Sequence, residues 1–131
     1  MSLEDKIQET LVTDTETVLE SKIDEIGEFL QLHQHGTIVI EGEYRDADTE
    51  QRILIYLIGQ RYAKEGGLAD SDTLSSSYFY ERFEASERTV RNRLQDLRES
   101  GLITKEGQSD HRLVAENLPD SIEHIQQGAS E

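Results

Sequence analysis

The stretch Ser86-Glu87-Arg88-Thr89-Val90-Arg91-Asn92-Arg93-Leu94-Gln95-Asp96-Leu97-Arg98-Glu99-Ser100-Gly101-Leu102-Ile103 decides how this chain folds. Val90, Leu94 and Leu97 recur at i, i+4 and i+7, which places them on one face of a helix. Ser86 stands where an N-cap is needed, because its hydroxyl can accept a bond from an amide of the first turn. Gly101 stands where the chain must leave the helix through a left-handed residue. Beyond it, Leu102-Ile103-Thr104 and Arg112-Leu113-Val114-Ala115 read as two strands around a Gly-containing hairpin, Lys105 to His111.

Upstream, a helix capped by Thr49 carries Ile53, Leu54, Leu57, Ile58 and Tyr62 on one broad face and closes at Gly66-Gly67. A loop, Leu68 to Thr73, leads to Ser75-Ser76-Ser77. The aromatic-rich segment with Tyr78, Phe79, Tyr80 and Phe83 reads as a short second helix, its rings serving core and helix packing. Pro119 and Asp120 start a last short helix through Ile122 and Ile125, and Gly128 to Glu131 are expected to fray.

Two helices, a capped helix ending in Gly-Leu-Ile, and a strand-hairpin-strand follow one another. The segment 86–103 resembles the recognition-helix region of prokaryotic winged-helix transcription regulators in detail, and residues 49–115 do so in outline. The resemblance rests on the small capping residue, the Thr89-Val90 pair, Leu94 and Leu97, and the terminal Gly101-Leu102-Ile103. It implies a mainly α fold with a small β-hairpin, a winged helix-turn-helix preceded by an N-terminal helix. The implied function is sequence-specific binding of duplex DNA, with helix 87–100 in the major groove and the hairpin 104–112 as the wing. Residues 1–48 match no family pattern.

Side-chain chemistry points the same way. With Val90, Leu94 and Leu97 buried, Arg88, Asn92, Gln95 and Glu99 centre on the opposite face, flanked by Arg91 and Asp96. Arg can grip guanine bidentately, and Asn and Gln can grip adenine. The backbone amides behind Ser86 can meet a phosphate, and Lys105, His111 and Arg112 sit in or beside the hairpin, where a wing touches the DNA backbone or the minor groove. The expected DNA-binding set is therefore Ser86, Arg88, Thr89, Arg91, Asn92, Gln95, Lys105, His111 and Arg112. The competing reading is a winged-helix adaptor that docks a protein partner without DNA, since Arg91, Arg93 and Arg98 could simply pair with neighbouring carboxylates and Asp96 and Glu99 sit awkwardly against phosphate.

The 131 residues, about 15.0 kDa, carry 13 Lys plus Arg against 28 Asp plus Glu, a formal charge of −15. Such acidity argues against an ordinary basic-patch binder. Arg outnumbers Lys nine to four, and the acid is dispersed along every segment, a composition that resembles cytoplasmic proteins of extreme halophiles and suggests a haloarchaeal source. In molar salt the Debye length is only about 3 Å, so a uniformly acidic surface is screened. A mesophilic nucleic-acid mimic or a binder of basic partners is the alternative. The charge is unevenly divided: residues 1–50 hold 3 basic and 14 acidic side chains, whereas residues 82–112 hold seven basic and six acidic, an island near neutrality.

Leu, Ile, Val and Phe make up 25% of the chain, above the roughly 20% below which highly charged chains stay disordered. The absence of cysteine excludes disulfides and thiolate chemistry. The longest apolar run, Ile53 to Gly59, is far short of the roughly 20 residues of a membrane helix, and Glu4 and Asp5 stand where a signal peptide carries basic residues. A soluble, cytoplasmic protein with no membrane partner is expected.

In the first segment, Thr13 or Asp14 caps an expected helix over residues 14–34, with Leu19, Ile23, Ile26 and Leu30 as its apolar seam. That seam either closes the domain core or pairs with its twin to form a homodimer. Gly36 ends the helix, Thr37 to Glu41 forms a short strand, and Glu43 to Asp48 is a polar break. The expected division is 1–46, acidic helix and strand; 47–118, the winged domain; and 119–131, a short helix and tail. His33 and His35 have metal-like side chains, but their spacing puts the rings on different faces, so no metal is expected. With no nucleophile-base order and no phosphate-binding glycine loop, neither an enzyme nor a cofactor is expected.

Overall fold

The computed structural model describes residues 2–10 and 15–129. In chain order they form α1 (Leu3–Thr10), α2 (Thr15–Ser21), α3 (Ile23–Ile26), β1 (Leu30–Leu32), β2 (Ile38–Ile40), a 3-10 turn (Gly42–Asp46) and α4 (Thr49–Glu65). There follow β3 (Thr73–Ser75), α5 (Ser76–Arg82), α6 (Glu87–Glu99), β4 (Ile103–Glu106), β5 (Asp110–Leu113), a second 3-10 turn (Ala115–Asn117) and α7 (Leu118–Ala129). The architecture is mainly helical, with two small antiparallel sheets.

α4 is the axis of the core. Ile53, Leu54, Ile55, Leu57 and Ile58 are all fully buried, so the helix is covered on more than one face. α6, α7 and the sheet strands β1, β2, β3 and β5 pack around it. Gly59 is required by one of these contacts: a Cβ there would lie 2.9 Å from Cγ2 of Ile38, so its absence lets β2 approach the helix. Asp48 occupies the N-cap position and Thr49, expected as the cap, is the first helical residue. A single apolar cluster then joins Leu19, Ile26 and Phe29 to Val90, Leu94 and Leu97 and on to Leu118, Ile122 and Ile125.

β5 is the central strand of the larger sheet, whose order is β3-β5-β4. β4 pairs with it through Thr104↔Arg112 and Lys105↔His111, and β3 through Thr73↔Arg112 and Leu74↔His111. β5 stands two residues closer to the hairpin tip than Arg112-Ala115 predicts, β4 starts one residue later and ends two residues later than Leu102-Thr104, and residues 107–109 make the turn. β3 falls at the end of the expected loop, where three residues with one buried side chain give no period to read.

The single helix over residues 14–34 is not present. The segment breaks into α2 and α3, turns at Gly27, and continues as β1, which pairs antiparallel with β2 through Leu30↔Ile40 and Leu32↔Ile38. The physical reason is the β-branched run Ile38-Val39-Ile40: a lone strand against α4 would leave its backbone groups unpaired, and β1 satisfies them. The alternation of Leu30 and Leu32 competes with the four-residue spacing of Ile26 and Leu30, and the strand wins. Gly36 therefore ends no helix. It takes φ of 81° in the β1–β2 connection, where a Cβ would lie 2.8 Å from the Leu68 carbonyl oxygen.

The proposed seam changes with it. Leu19, Ile26 and Leu30 are buried within the chain at 3–4% exposure, and Ile23 alone is exposed, at 56%. As a continuous dimerising stripe the four residues do not exist. Thr13 and Asp14, the expected caps, lie outside the described residues. At the other end Gly128 and Ala129 belong to α7, so the helix outlasts the point where fraying is expected; Ser130 and Glu131 lie outside the described residues.

Candidate nucleic-acid interface

α6 is laid down as its sequence dictates. The Ser86 hydroxyl accepts from the Thr89 amide at 3.1 Å and donates to the Thr89 hydroxyl at 3.0 Å, so both side chains are engaged in the cap. At the far end Gly101 adopts φ of 78°. Val90, Leu94 and Leu97 face the core at 0–1% exposure, while Arg88, Arg91, Asn92 and Gln95 are exposed on the outer side.

The seven basic residues of segment 82–112 are not equivalent. Arg82 lies over the Tyr78 ring, 3.5 Å from its centroid, and donates to the Tyr78 carbonyl. Arg93 pairs with Asp96 at 2.9 Å. Arg112 pairs with Asp72 at 2.9 Å and with Glu106 at 3.0 Å. The other four are Arg88, Arg91, Arg98 and Lys105. Arg91 has only a loose contact with Glu87, at 3.9 Å; Arg88, Arg98 and Lys105 form no ion pair with any carboxylate of the described residues.

Three of these four cations meet at one place. Between α5, α6 and the β4–β5 hairpin runs a groove of about 530 Å³ whose walls include Arg91, Asn92, Gln95, Arg98 and Lys105. Its remaining walls are Ser76, Ser77, Tyr80, Leu94, Gln108, Ser109 and His111, so no carboxylate lines it. In a chain of net charge −15, a groove lined by three cations and no carboxylate is a local departure from the acidic character of the sequence as a whole. Hydroxyls, amides and guanidiniums together suit an anionic, hydrogen-bonding ligand.

Two of the expected contact residues are placed otherwise than the sequence suggests. His111 is 2% exposed and lies in the wall of the groove with Nε2 2.8 Å from the Ser76 hydroxyl. Burial pushes its pKa down to about 4, assisted by the positive charges of Arg98 and Lys105. A neutral imidazole held inside the domain supports Ser76 and offers no positive charge to the groove. Arg112 is one strand residue further on and therefore points to the opposite face of the sheet. There it belongs to an ion network in which Arg61 also bonds Asp72, at 3.3 Å, and Glu65, at 3.1 Å.

Other contributors were not singled out from sequence. Arg98 follows Arg91 by seven residues and so shares its side of α6, a spacing that could have found it. Ser76 and Ser77 reach the groove only because β3 pairs with β5 and aims the start of α5 there, a relationship with no local signal. Gln95 donates to Glu99 at 3.2 Å, which holds the amide along the outer face.

Elsewhere, His33 and His35 are exposed, and among the described residues no group of three His, Asp or Glu is placed to hold a metal ion. No helix among the described residues is long and apolar enough to cross a membrane. Compared with known proteins, the chain matches no family model, no curated protein and no solved structure.

Proposed function

We propose that the chain is a winged helix-turn-helix protein that binds duplex DNA as a transcription regulator, with α6 in the major groove and the β4–β5 hairpin as the wing. The order α4-β3-α5-α6-β4-β5 supports the fold reading. The observation that carries the function is the carboxylate-free groove holding Arg91, Arg98 and Lys105 beside the exposed Arg88, Asn92 and Gln95. The division of labour follows from the chemistry. Arg88, Asn92 and Gln95 read base edges, and the groove cations hold the phosphate backbone in register.

The acidity belongs to the same proposal. A cytoplasmic chain from a haloarchaeal source works in molar salt, where its carboxylates are screened beyond about 3 Å and the short-range contacts of the groove decide binding. Glu87 and Glu99, exposed on or beside the reading face, favour the competing protein-docking adaptor, because carboxylates there repel phosphate. Selection from a random duplex pool in molar KCl separates the two. An enriched motif supports the regulator, and a pool that stays random supports the adaptor.

A further inference from the structure

The groove between α5, α6 and the β4–β5 hairpin has two chemically different ends. At one, Ser76, Arg98 and Lys105 converge on His111. The Ser76 hydroxyl lies 2.8 Å from its Nε2, Lys105 is its register partner on β4, and both cations hold its pKa down. Arg98 is half-buried there, and the neutral imidazole that both cations face offers them no counter-charge. A partly desolvated guanidinium without a carboxylate calls for an anion. At the other end α5 has advanced about one turn, from Ser76 to Tyr80, and α6 reads back about two turns, from Arg98 to Arg91 and Asn92. Tyr78, Phe79 and Phe83 are engaged with Tyr56 and with one another. Tyr80 stands outside that cluster, partly exposed in the groove wall.

We propose that the groove is the seat of a free nucleoside triphosphate, its phosphates held by Arg98, Lys105 and the Ser76 hydroxyl and its base laid on Tyr80 with Asn92 at its edge. The volume of about 530 Å³ lies within the roughly 300–1,000 Å³ of small-molecule sites and exceeds what one phosphate fills. Arg91 and Arg98 stand about 10 Å apart along the helix axis, comparable to the reach from base to phosphates in a nucleotide. A duplex keeps its bases stacked inside, so its backbone would use the cations and leave Tyr80 idle; a single nucleotide uses both ends. In molar salt attraction is screened beyond about 3 Å, so stacking and directional donors at contact choose the ligand. The regulatory consequence rests on the DNA-binding reading: nucleotide and DNA backbone require the same cations and exclude each other. Occupancy by the nucleotide requires no DNA.

Isothermal calorimetry of the full chain in molar KCl without divalent metal, with ATP, inorganic triphosphate and adenosine as separate ligands and no DNA present, tests the seat by itself. One ATP per chain is expected, with each fragment weaker by about tenfold or more. Arg98→Ala and Lys105→Ala should each weaken ATP by about tenfold or more, with circular dichroism confirming the fold. Tyr80→Leu should bring ATP down to the affinity of triphosphate. Because Tyr80 also packs on the core, Asn92→Ala, at an exposed position, provides a second variant at the base end and should weaken ATP while leaving triphosphate unchanged. A folded wild-type chain that takes no ATP at millimolar concentration overturns the proposal. Equal affinities for ATP and triphosphate overturn it as well, marking a bare polyanion seat, and so does ATP binding indifferent to Arg98→Ala and Lys105→Ala. Where an enriched duplex is bound, ATP should displace it, and a ternary complex overturns the shared seat. ATP binding by a chain that binds no duplex would sink the regulator and support the seat.

Discussion

The Ser76 hydroxyl and Nε2 of His111 stand 2.8 Å apart, joining the first turn of α5 to the central strand of the three-stranded sheet. That contact fixes one wall of the cation-lined groove against the strand that carries its hairpin. It also removes His111 from solvent, leaving Nδ1 without a hydrogen-bond partner.

The first consequence is a pH dependence of stability. With a folded pKa of about 4, against about 6.5 in the unfolded chain, His111 binds a proton more readily when unfolded. Its contribution is fully present above about pH 6.5 and is lost as pH falls toward 4, where the loss levels off because the folded state then protonates too. The loss is on the order of 3 kcal/mol. Urea denaturation of wild type and His111→Gln from pH 7.5 to 4 should show a shallower slope in the variant; equal slopes would mean that His111 titrates normally.

Arg88→Ala should cost about 1–3 kcal/mol of binding to a preferred duplex and relax base preference at one position, because Arg88 is exposed on the reading face and unpaired. Arg98→Ala and Lys105→Ala should weaken all duplexes alike. Competition binding with single-base variants checks both. Identical losses on preferred and random DNA for all three variants would remove the assigned roles.

Asp72 is the hub of the ion network on the other face of the sheet, its side chain 11% exposed between Arg61 and Arg112. Asp72→Asn leaves two guanidiniums facing one another and should destabilise the fold by about 2 kcal/mol. Arg112→Ala should leave DNA affinity unchanged once stability is corrected for. An affinity loss matching that of Lys105→Ala would return Arg112 to the interface.

α6 is the element most legible in the sequence, because Ser86, Gly101 and the Val90, Leu94 and Leu97 row all specify the same helix and burial agrees with each. The exposure of Arg88, Asn92 and Gln95 follows from that row alone. What residues 86–103 do not carry is the pairing of β3 with β5, which brings Ser76 and Ser77 to the groove. Nor does composition distinguish Arg98, left without a carboxylate, from Arg112, which is captured by Asp72 forty residues away. The N-terminal segment misleads for a different reason. Ile26 and Leu30 satisfy a helical spacing and Leu30 and Leu32 a strand alternation, and only the hydrogen-bonding demand of β2 chooses between them.

Salt is the sharpest lever, because an ordinary DNA binder gains affinity by releasing counterions and loses it as salt rises. On the proposed reading, residues 82–112 hold seven basic and six acidic side chains and the remainder is acidic, so cations that screen the carboxylates around the groove should offset the counterions that Arg91, Arg98 and Lys105 release from DNA. The most direct measurement is fluorescence anisotropy of an enriched and a random duplex titrated with the protein from low to molar KCl, with circular dichroism following the fold. The predicted result is tighter binding to the enriched duplex, maintained or strengthened toward molar salt and weakened at least tenfold by Arg98→Ala. Equal binding to both duplexes, or a steep loss of affinity with salt in a protein that stays folded, would contradict it.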